Sequence, residues 1–304
     1  MEIKILKKEE LRGRLSCFCD LYRACFSGYI DEEIVSQRFI DNPFDSEILM
    51  CIAEDEGKIV ANYSAMPCEV WCGEKKMKSA LVCNIMTHPD YSGKGLFVKL
   101  ANLLHEEMKS RGYSFAYVFP NLYSNKTITH SLNWQDVYEI PTMQKNLENL
   151  NGNFSRFVSN IYEILPEHIK WQSVDKFCVG KSYDYIKWRY VDNAGDYKFF
   201  GLKENWAIIK GYQDELNITE FHCKDEDCEE FLAALIAVAK GNGYKKITGW
   251  AHINSHLHYA MERLGFFVTS PVRYFAVKTF CDNLPCDAYD FRNWHLCMGD
   301  DNVY

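Results

Sequence analysis

Apolar and polar residues alternate over residues 1–6 in the manner of an edge strand. Leu11, Leu15, Phe18, Leu21, Tyr22 and Cys25 then recur at helical spacing, which predicts a helix over 9–26. Asp31 is placed to cap a second helix through Phe39, and Asn42-Pro43 ends it. Strand patterns follow over 48–53 and 58–71, joined by the turn Glu54-Asp55-Glu56-Gly57. Residues 81–86 (Leu-Val-Cys-Asn-Ile-Met) are short and apolar enough for a buried strand. Beyond a glycine loop, Leu96, Leu100, Leu103, Leu104 and Met108 mark an amphipathic helix that Gly112 stops. Residues 115–119 read as another buried strand, and a short helix leads to Leu132-Asn133-Trp134.

The second half repeats this pattern faintly. Arg38-Phe-Ile-Asp-Asn42 has a counterpart in Arg189-Tyr-Val-Asp-Asn193, and Leu132-Asn133-Trp134 in Leu264-Gly265-Phe266. Strands are expected over 199–202, 206–212 and 217–223, a helix over 229–240 and a strand over 246–251. The fold class is therefore α+β, with two similar domains at 1–148 and 149–304. The linker, roughly 145–181, starts in the polar run 149–153. The aromatic-rich tail, 281–304, is expected to pack back on the body.

Composition narrows the function. With 304 residues, 47% hydrophobic and 15% aromatic, the chain can fill two cores. No apolar run approaches the roughly 20 residues of a membrane span, and no secretory leader opens the chain, so a cytoplasmic protein with no membrane partner is expected. The 13 cysteines form no paired C-x-x-C knuckles, so free thiols and no metal are expected. A net charge of −8 lacks the basic footprint of nucleic-acid binding and suits, weakly, a cationic amine.

The chemistry centres on residues 87–97, Thr-His-Pro-Asp-Tyr-Ser-Gly-Lys-Gly-Leu-Phe. The first amides of a helix lack intrahelical partners, and the helix dipole favours an anion there. Gly93 and Gly95 have no side chain to block a phosphate, and Lys94 adds positive charge. This run resembles the pyrophosphate loop of the GNAT (Gcn5-related N-acetyltransferase) superfamily, with departures at Thr87, Ser92 and Phe97. Pro120-Asn121-x-x-Ser124 followed by Leu132-Asn133-Trp134 resembles a later motif of the same family. The resemblance covers about residues 1–145 and implies tandem GNAT-like domains, the first binding acetyl-CoA or another acyl-CoA. The second reads as degenerate: where a glycine loop would stand, the chain has Lys224-Asp-Glu-Asp-Cys-Glu-Glu230, whose acidic groups would repel a pyrophosphate.

By position, the resemblance assigns cofactor binding to Ile85, Met86, Thr87, Ser92, Gly93, Lys94, Gly95, Leu96, Phe97, Asn121 and Ser124. In the family, the central strand splays from its neighbour after a bulge and holds the thioester arm by its backbone. The usual thiolate-protonating Tyr is missing, since Ile128 or Thr129 falls at its place; Tyr123 and His130 are the nearby substitutes. Glu69 is a candidate base, and Asn84 can orient water or substrate; His88 and Cys83 are lesser candidates. Arg38 and Arg189 are expected to be structural, pairing with Asp41 and Asp192. The implied activity is acetyl transfer to a primary amine of a small molecule (amino sugar, amino acid or antibiotic), in a cleft between the halves. The alternative is a non-catalytic CoA-binding or substrate-sensing protein.

Overall fold

A computed structural model describes residues 1–26, 28–148, 161–193 and 195–304; the expected linker start at 149–153 lies outside them. The chain forms two compact units, one of Met1–Val137, Ser173–Gly180 and Phe275–Asn293, the other of Tyr138–Gln172, Lys181–Tyr274 and Trp294–Tyr304. Their division is interleaved along the chain, where the sequence suggested one cut after residue 148.

In the first unit, β1 (Glu2–Ile5), β2 (Leu49–Asp55), β3 (Lys58–Cys72) and β4 (Lys75–Thr87) pair antiparallel in that order. Between β1 and β2 lie α1 (Lys8–Arg12), α2 (Leu15–Cys25) and α3 (Glu32–Val35). The helix expected over 9–26 is thus two, broken beside Gly13, whose lack of a Cβ lowers helix propensity. The second expected helix is a single α-turn that widens into a π-turn over Ser36–Ile40. After β4 come α4 (Leu96–Ser110), β5 (Phe115–Val118), parallel to β4, and α5 (Leu122–Leu132). Leu96, Leu100, Leu104 and Met108 lay one face of α4 on Cys51, Ala61, Tyr63 and Val82, which makes the main core of this unit.

The strand after α5, β6 (Gln135–Asn146), does not return to β5. Its residues Thr142–Asn146 pair antiparallel with β12 (Lys246–Trp250) in the second unit. The free side of β5 is taken by β13 (Phe267–Thr279), with Ala276 opposite Val118 and Thr279 opposite Phe115. Each unit therefore completes its sheet with a strand from the other half of the chain.

The second unit repeats the order of the first. The π-turn recurs after α6 (Tyr183–Ile186), over Lys187–Val191. After the short strands β7 (Tyr162–Glu163) and β8 (Cys178–Val179), strands β9 (Tyr197–Leu202), β10 (Asn205–Tyr212) and β11 (Glu215–His222) form an antiparallel meander. Helix α7 (Cys228–Gly241), the parallel strand β12 and α8 (His256–Arg263) follow. Arg189 is buried and donates to the Tyr197 hydroxyl and the carbonyls of Asp301 and Tyr304; Asp192 instead faces Lys187 at 3.5 Å. Its structural role is as expected, but its partners are not. Trp294, Leu296, Cys297 and Met298 are buried, so the tail does pack back. All 13 cysteines are free thiols. Among the described residues, no helix is long and apolar enough to cross a membrane.

Asp45 ties the loop before β2 to the end of α4. Its Oδ2 accepts from the Tyr113 hydroxyl (2.6 Å), from Arg111 (2.6 Å) and from Lys78 (3.0 Å). Burial alone would raise its pKa, but these donors prevail and hold it at about 2, against an ordinary 3.8. A carboxyl whose pKa is lower in the folded state adds stability above its unfolded value and loses it as pH falls towards the folded one. Asp45→Asn is expected to cost about 2 kcal/mol at pH 7. In urea titrations the wild type should lose that advantage between pH 4 and about 2; an equal loss in the variant would remove Asp45 as its source.

Candidate functional site

Two irregularities shape the face of the first unit that the glycine loop borders. The first is in β4. Asn62 pairs with Met86 and Ser64 with Cys83, so Asn84 and Ile85 stand opposite Tyr63 alone. This is a β-bulge, here built with one residue in the left-handed region. Asn84 supplies it at φ 51°, a conformation that asparagine tolerates better than other residues with a Cβ. Pairing of β4 with β5 stops just before the bulge, at Val82 and Val118. Beyond that point Ile85, Met86 and Thr87 run without β5 beside them, which is the bulge-and-splay arrangement expected of the central strand.

Side chains from β3 satisfy the carbonyls that the bulge removes from the ladder. Asn62 Nδ2 donates to Asn84 O (2.6 Å) and to Ser64 Oγ (3.0 Å), while Ser64 Oγ donates to Cys83 O (3.0 Å). Asn62 Oδ1 and Asn84 Nδ2 are buried and have no hydrogen-bond partner among the described residues. Asn62 and Ser64 were not singled out from sequence. The available signal was their polarity in a strand whose residues 59–68 are all buried.

The second irregularity is the loop. Gly93 (φ 75°) and Gly95 (φ 69°) are both left-handed, and a Cβ on either would meet nothing within 4 Å, so the loop faces open space. Gly95 is the N-cap of α4, whose first amides project beyond it. The two glycines thus leave a phosphate free to approach. Ser92 and Lys94 are exposed. The Lys94 ammonium sits 4.2 Å from the centre of the Tyr91 ring, and Tyr91 in turn donates to Asp55 (2.8 Å). Leu96 is buried, and Phe97 turns inward to meet Tyr63 with ring centres 5.8 Å apart. The bulky residue at the last motif position therefore does not fill the loop.

Asn121 caps α5. Its Oδ1 accepts from the amides of Tyr123 (3.0 Å) and Ser124 (2.9 Å), and Ser124 Oγ accepts from the Asn121 amide (3.1 Å). Both side chains are engaged in fixing the helix start. The catalytic candidates are not brought together by any contact. Tyr123 is 86% exposed and His130 is exposed on the same helix. Glu69 is partly buried and ion-paired with Lys76 across the β3–β4 hairpin. At the place of the missing Tyr, Ile128 is buried and Thr129 Oγ1 donates to Asn125 O (2.8 Å). His88 accepts from the Asp90 amide (3.3 Å), and Cys83 is buried. A histidine absent from the sequence-based set, His105, lies under the bulge with Nε2 3.0 Å from the Tyr63 hydroxyl. Burial pushes its pKa down to about 3, helped by Lys278, so it stays neutral and structural.

The second unit has the same opening without the loop. Thr219 is the extra residue of β11 against β10, and pairing with β12 ends at Ile218. Gly299 of the tail lies there, its Cβ position 3.2 Å from Thr219 O, so the tail occupies that opening. At the start of α7, Asp227 is bound by Lys203 (2.5 Å) and Asn205 (2.8 Å), and Glu230 by Lys203 (2.9 Å). Carboxylates and their lysine occupy the dipole end that a phosphate would need.

The left-handed bulge gives a direct test of this geometry. Asn84→Gly is expected to leave stability nearly unchanged, whereas Asn84→Val should cost about 1–2 kcal/mol for a β-branched residue at positive φ. Guanidinium unfolding of the two variants checks it; equal stability would mean that residue 84 is not held left-handed.

Residues 2–136 match the family profile described as the acetyltransferase (GNAT) domain. A comparison with curated protein sequences returns no match. Among solved structures, the chain is similar to a GCN5-related N-acetyltransferase from Kribbella flavida at 10% identity and a TM-score of 0.65, over 92% of this chain and 72% of that one. It is similar to a probable N-acyltransferase of unknown function from Enterococcus faecalis V583 at 13% identity and a TM-score of 0.67, over 92% and 72%. Eis1 from Mycobacterium abscessus aligns at 11% identity and a TM-score of 0.57, over 92% and 74%. These likenesses carry the fold, an α+β architecture along most of the chain. Residues 2–136, with the glycine loop and the splayed strand in place, thus match the GNAT acetyltransferase domain.

Proposed function

We propose that the protein transfers an acetyl group from acetyl-CoA to a primary amine of a small molecule. One observation carries the reading: an unobstructed glycine loop capping α4, on the same unit as a central strand freed from its neighbour beyond Asn84. On this reading the pyrophosphate of CoA rests on the amides at the start of α4, beside Lys94. The thioester arm follows Ile85, Met86 and Thr87, whose backbone amides polarise the carbonyl as an oxyanion hole does. Asn121 and Ser124 hold the start of α5 in position. Asn84 Nδ2, buried and without a partner among the described residues, is available to orient a bound ligand.

The proton steps are simple here. The amine must lose a proton before it attacks, and the departing thiolate must gain one. Tyr123 and His130 face solvent on α5, so protonation of the thiolate through water or one of these groups fits better than a buried phenol. Glu69, opposite Lys78, lies roughly 20 Å along the strands from Ile85, so the amine proton of a substrate cation passes to water rather than to this carboxylate. The net charge of −8 favours approach of such a cation.

A second reading is supported by the same departures. With Ile128 and Thr129 at the usual acid position, the domain would bind CoA without turnover and act as a sensor. Calorimetric titration with acetyl-CoA, followed by free-thiol release against a panel of amino sugars, amino acids and aminated antibiotics, separates the two. Binding with amine-dependent thiol release is expected; binding without release on any amine would favour the sensor, and no binding would reject both. Gly93→Glu is expected to weaken acetyl-CoA at least tenfold, about 1.4 kcal/mol, whereas Gly93→Asn, which tolerates the left-handed backbone, should retain most of the affinity. Unchanged binding by folded Gly93→Glu would reject the loop assignment.

A further inference from the structure

A group of donors lies in the second unit, apart from the glycine loop and the splayed strand. His222 ends β11, and His295 and Cys297 belong to the tail that packs against it. One ligand atom from each lies within 4.8 Å of the others. Nε2 of His295 is 3.7 Å from Sγ of Cys297. A tetrahedral zinc ion, with bonds of about 2.0–2.3 Å to imidazole and thiolate, needs donors roughly 3.3–3.6 Å apart. One edge of the site is already near that length, and side-chain shifts of about 1 Å would close the others.

The surroundings hold these donors as metal ligands are usually held. Glu220 Oε2 is 3.1 Å from His222 Nε2, and Glu220 is fully buried and fixed by Lys181 (2.6 Å) and the Tyr190 hydroxyl. A carboxylate can only accept, so it selects the tautomer in which Nδ1 of His222 carries the free lone pair. A carboxylate behind a ligating imidazole is the common outer partner of zinc. Trp206 stacks on the His222 ring with centres 4.0 Å apart and an 18° tilt, which limits rotation of the ring. On the tail, Cys297 is 7% exposed, and its amide donates to Asp300 Oδ2 (2.8 Å), which anchors the thiol-bearing segment.

We propose that His222, His295 and Cys297 bind one zinc ion, which clips the tail onto β11. The donor set, two imidazoles and one thiol, suits this borderline-soft cation better than magnesium or calcium, which prefer oxygen. Three protein ligands leave one tetrahedral position for water or a small anion. Binding converts the Cys297 thiol to thiolate and releases its proton to solvent, with no change of oxidation state. Local sequence spacing does not reveal the site, because its two halves lie far apart in the chain.

The test uses the full-length chain, stripped with a chelator and then titrated with zinc or cobalt. Elemental analysis should find one zinc per chain, and cobalt should give the near-ultraviolet charge-transfer band of a thiolate ligand. His222→Gln and Cys297→Ser should each lose the ion, and Cys297→Ser the band as well, with far-ultraviolet circular dichroism unchanged. For the wild type alone, zinc should protect Cys297 from alkylation, read by peptide mass mapping, which keeps the idea testable if a variant does not fold. Metal at background level, an ion retained at full stoichiometry in both variants, or alkylation of Cys297 indifferent to zinc would each overturn the proposal. Acetyl-CoA titration of the same samples reads the loop separately, so failure of one reading does not imply failure of the other.

Discussion

The feature on which the candidate site depends is one surplus residue in a strand. Where β3 offers Tyr63 alone, β4 offers Asn84 and Ile85, and a strand so kinked cannot stay in register with both neighbours. The ladder to β3 is kept, repaired by Asn62 and Ser64, and the ladder to β5 ends at Val82. A buried backbone group without a partner costs free energy of the same order as a lost hydrogen bond. Opening the sheet is tolerable only because side chains of β3 take the carbonyls at the kink and because something else can take the amides beyond it. The site is, in this sense, a set of backbone groups kept from pairing with each other.

The fold makes that opening twice and treats it in opposite ways. In the second unit, Thr219 is the surplus residue, and its hydroxyl returns to Ile208 O at 2.8 Å. The tail then lies in the opening, and the helix that would receive a phosphate begins with carboxylates bound to Lys203. The backbones of the two units differ little in plan. What separates them is the charge and bulk at one helix start: two glycines and a lysine in one, aspartates and glutamates in the other. A helix dipole can be satisfied by the chain's own carboxylates or left for an external anion, but the same helix end cannot serve both.

Much of this was legible in the sequence, for identifiable reasons. The glycine loop, the helix after it and the acidic counterpart of that loop are local, and local pattern reports them well. Asn84 was legible as an unusual polar residue in an apolar run, but its left-handed backbone depends on register with β3, which only the folded sheet sets. Arg189 was read correctly as structural, yet its partners, Tyr197 and the carbonyls of Asp301 and Tyr304, come from a distant segment that no spacing rule could supply. The short α-turn that widens into a π-turn near Arg38 looked like an ordinary helix, because a one-residue widening barely disturbs apolar periodicity. The exchange of β6 and β13 was hidden for a plainer reason. Strands of similar composition do not state their partners, and here the neighbour in sequence is not the neighbour in the sheet.

That exchange bears on how the chain is made. Strand β5 and its helices leave the ribosome well before β13, the strand that covers the free side of β5 with Ala276 opposite Val118. Until β13 emerges the first unit has an open edge of Phe115, Ala116, Tyr117 and Val118, an apolar strand of the kind that recruits other chains. During that interval the nascent protein depends on whatever shields this edge, a chaperone or its own unfinished chain. Slowing synthesis between the two strands would lengthen the exposure without altering a single contact of the finished molecule.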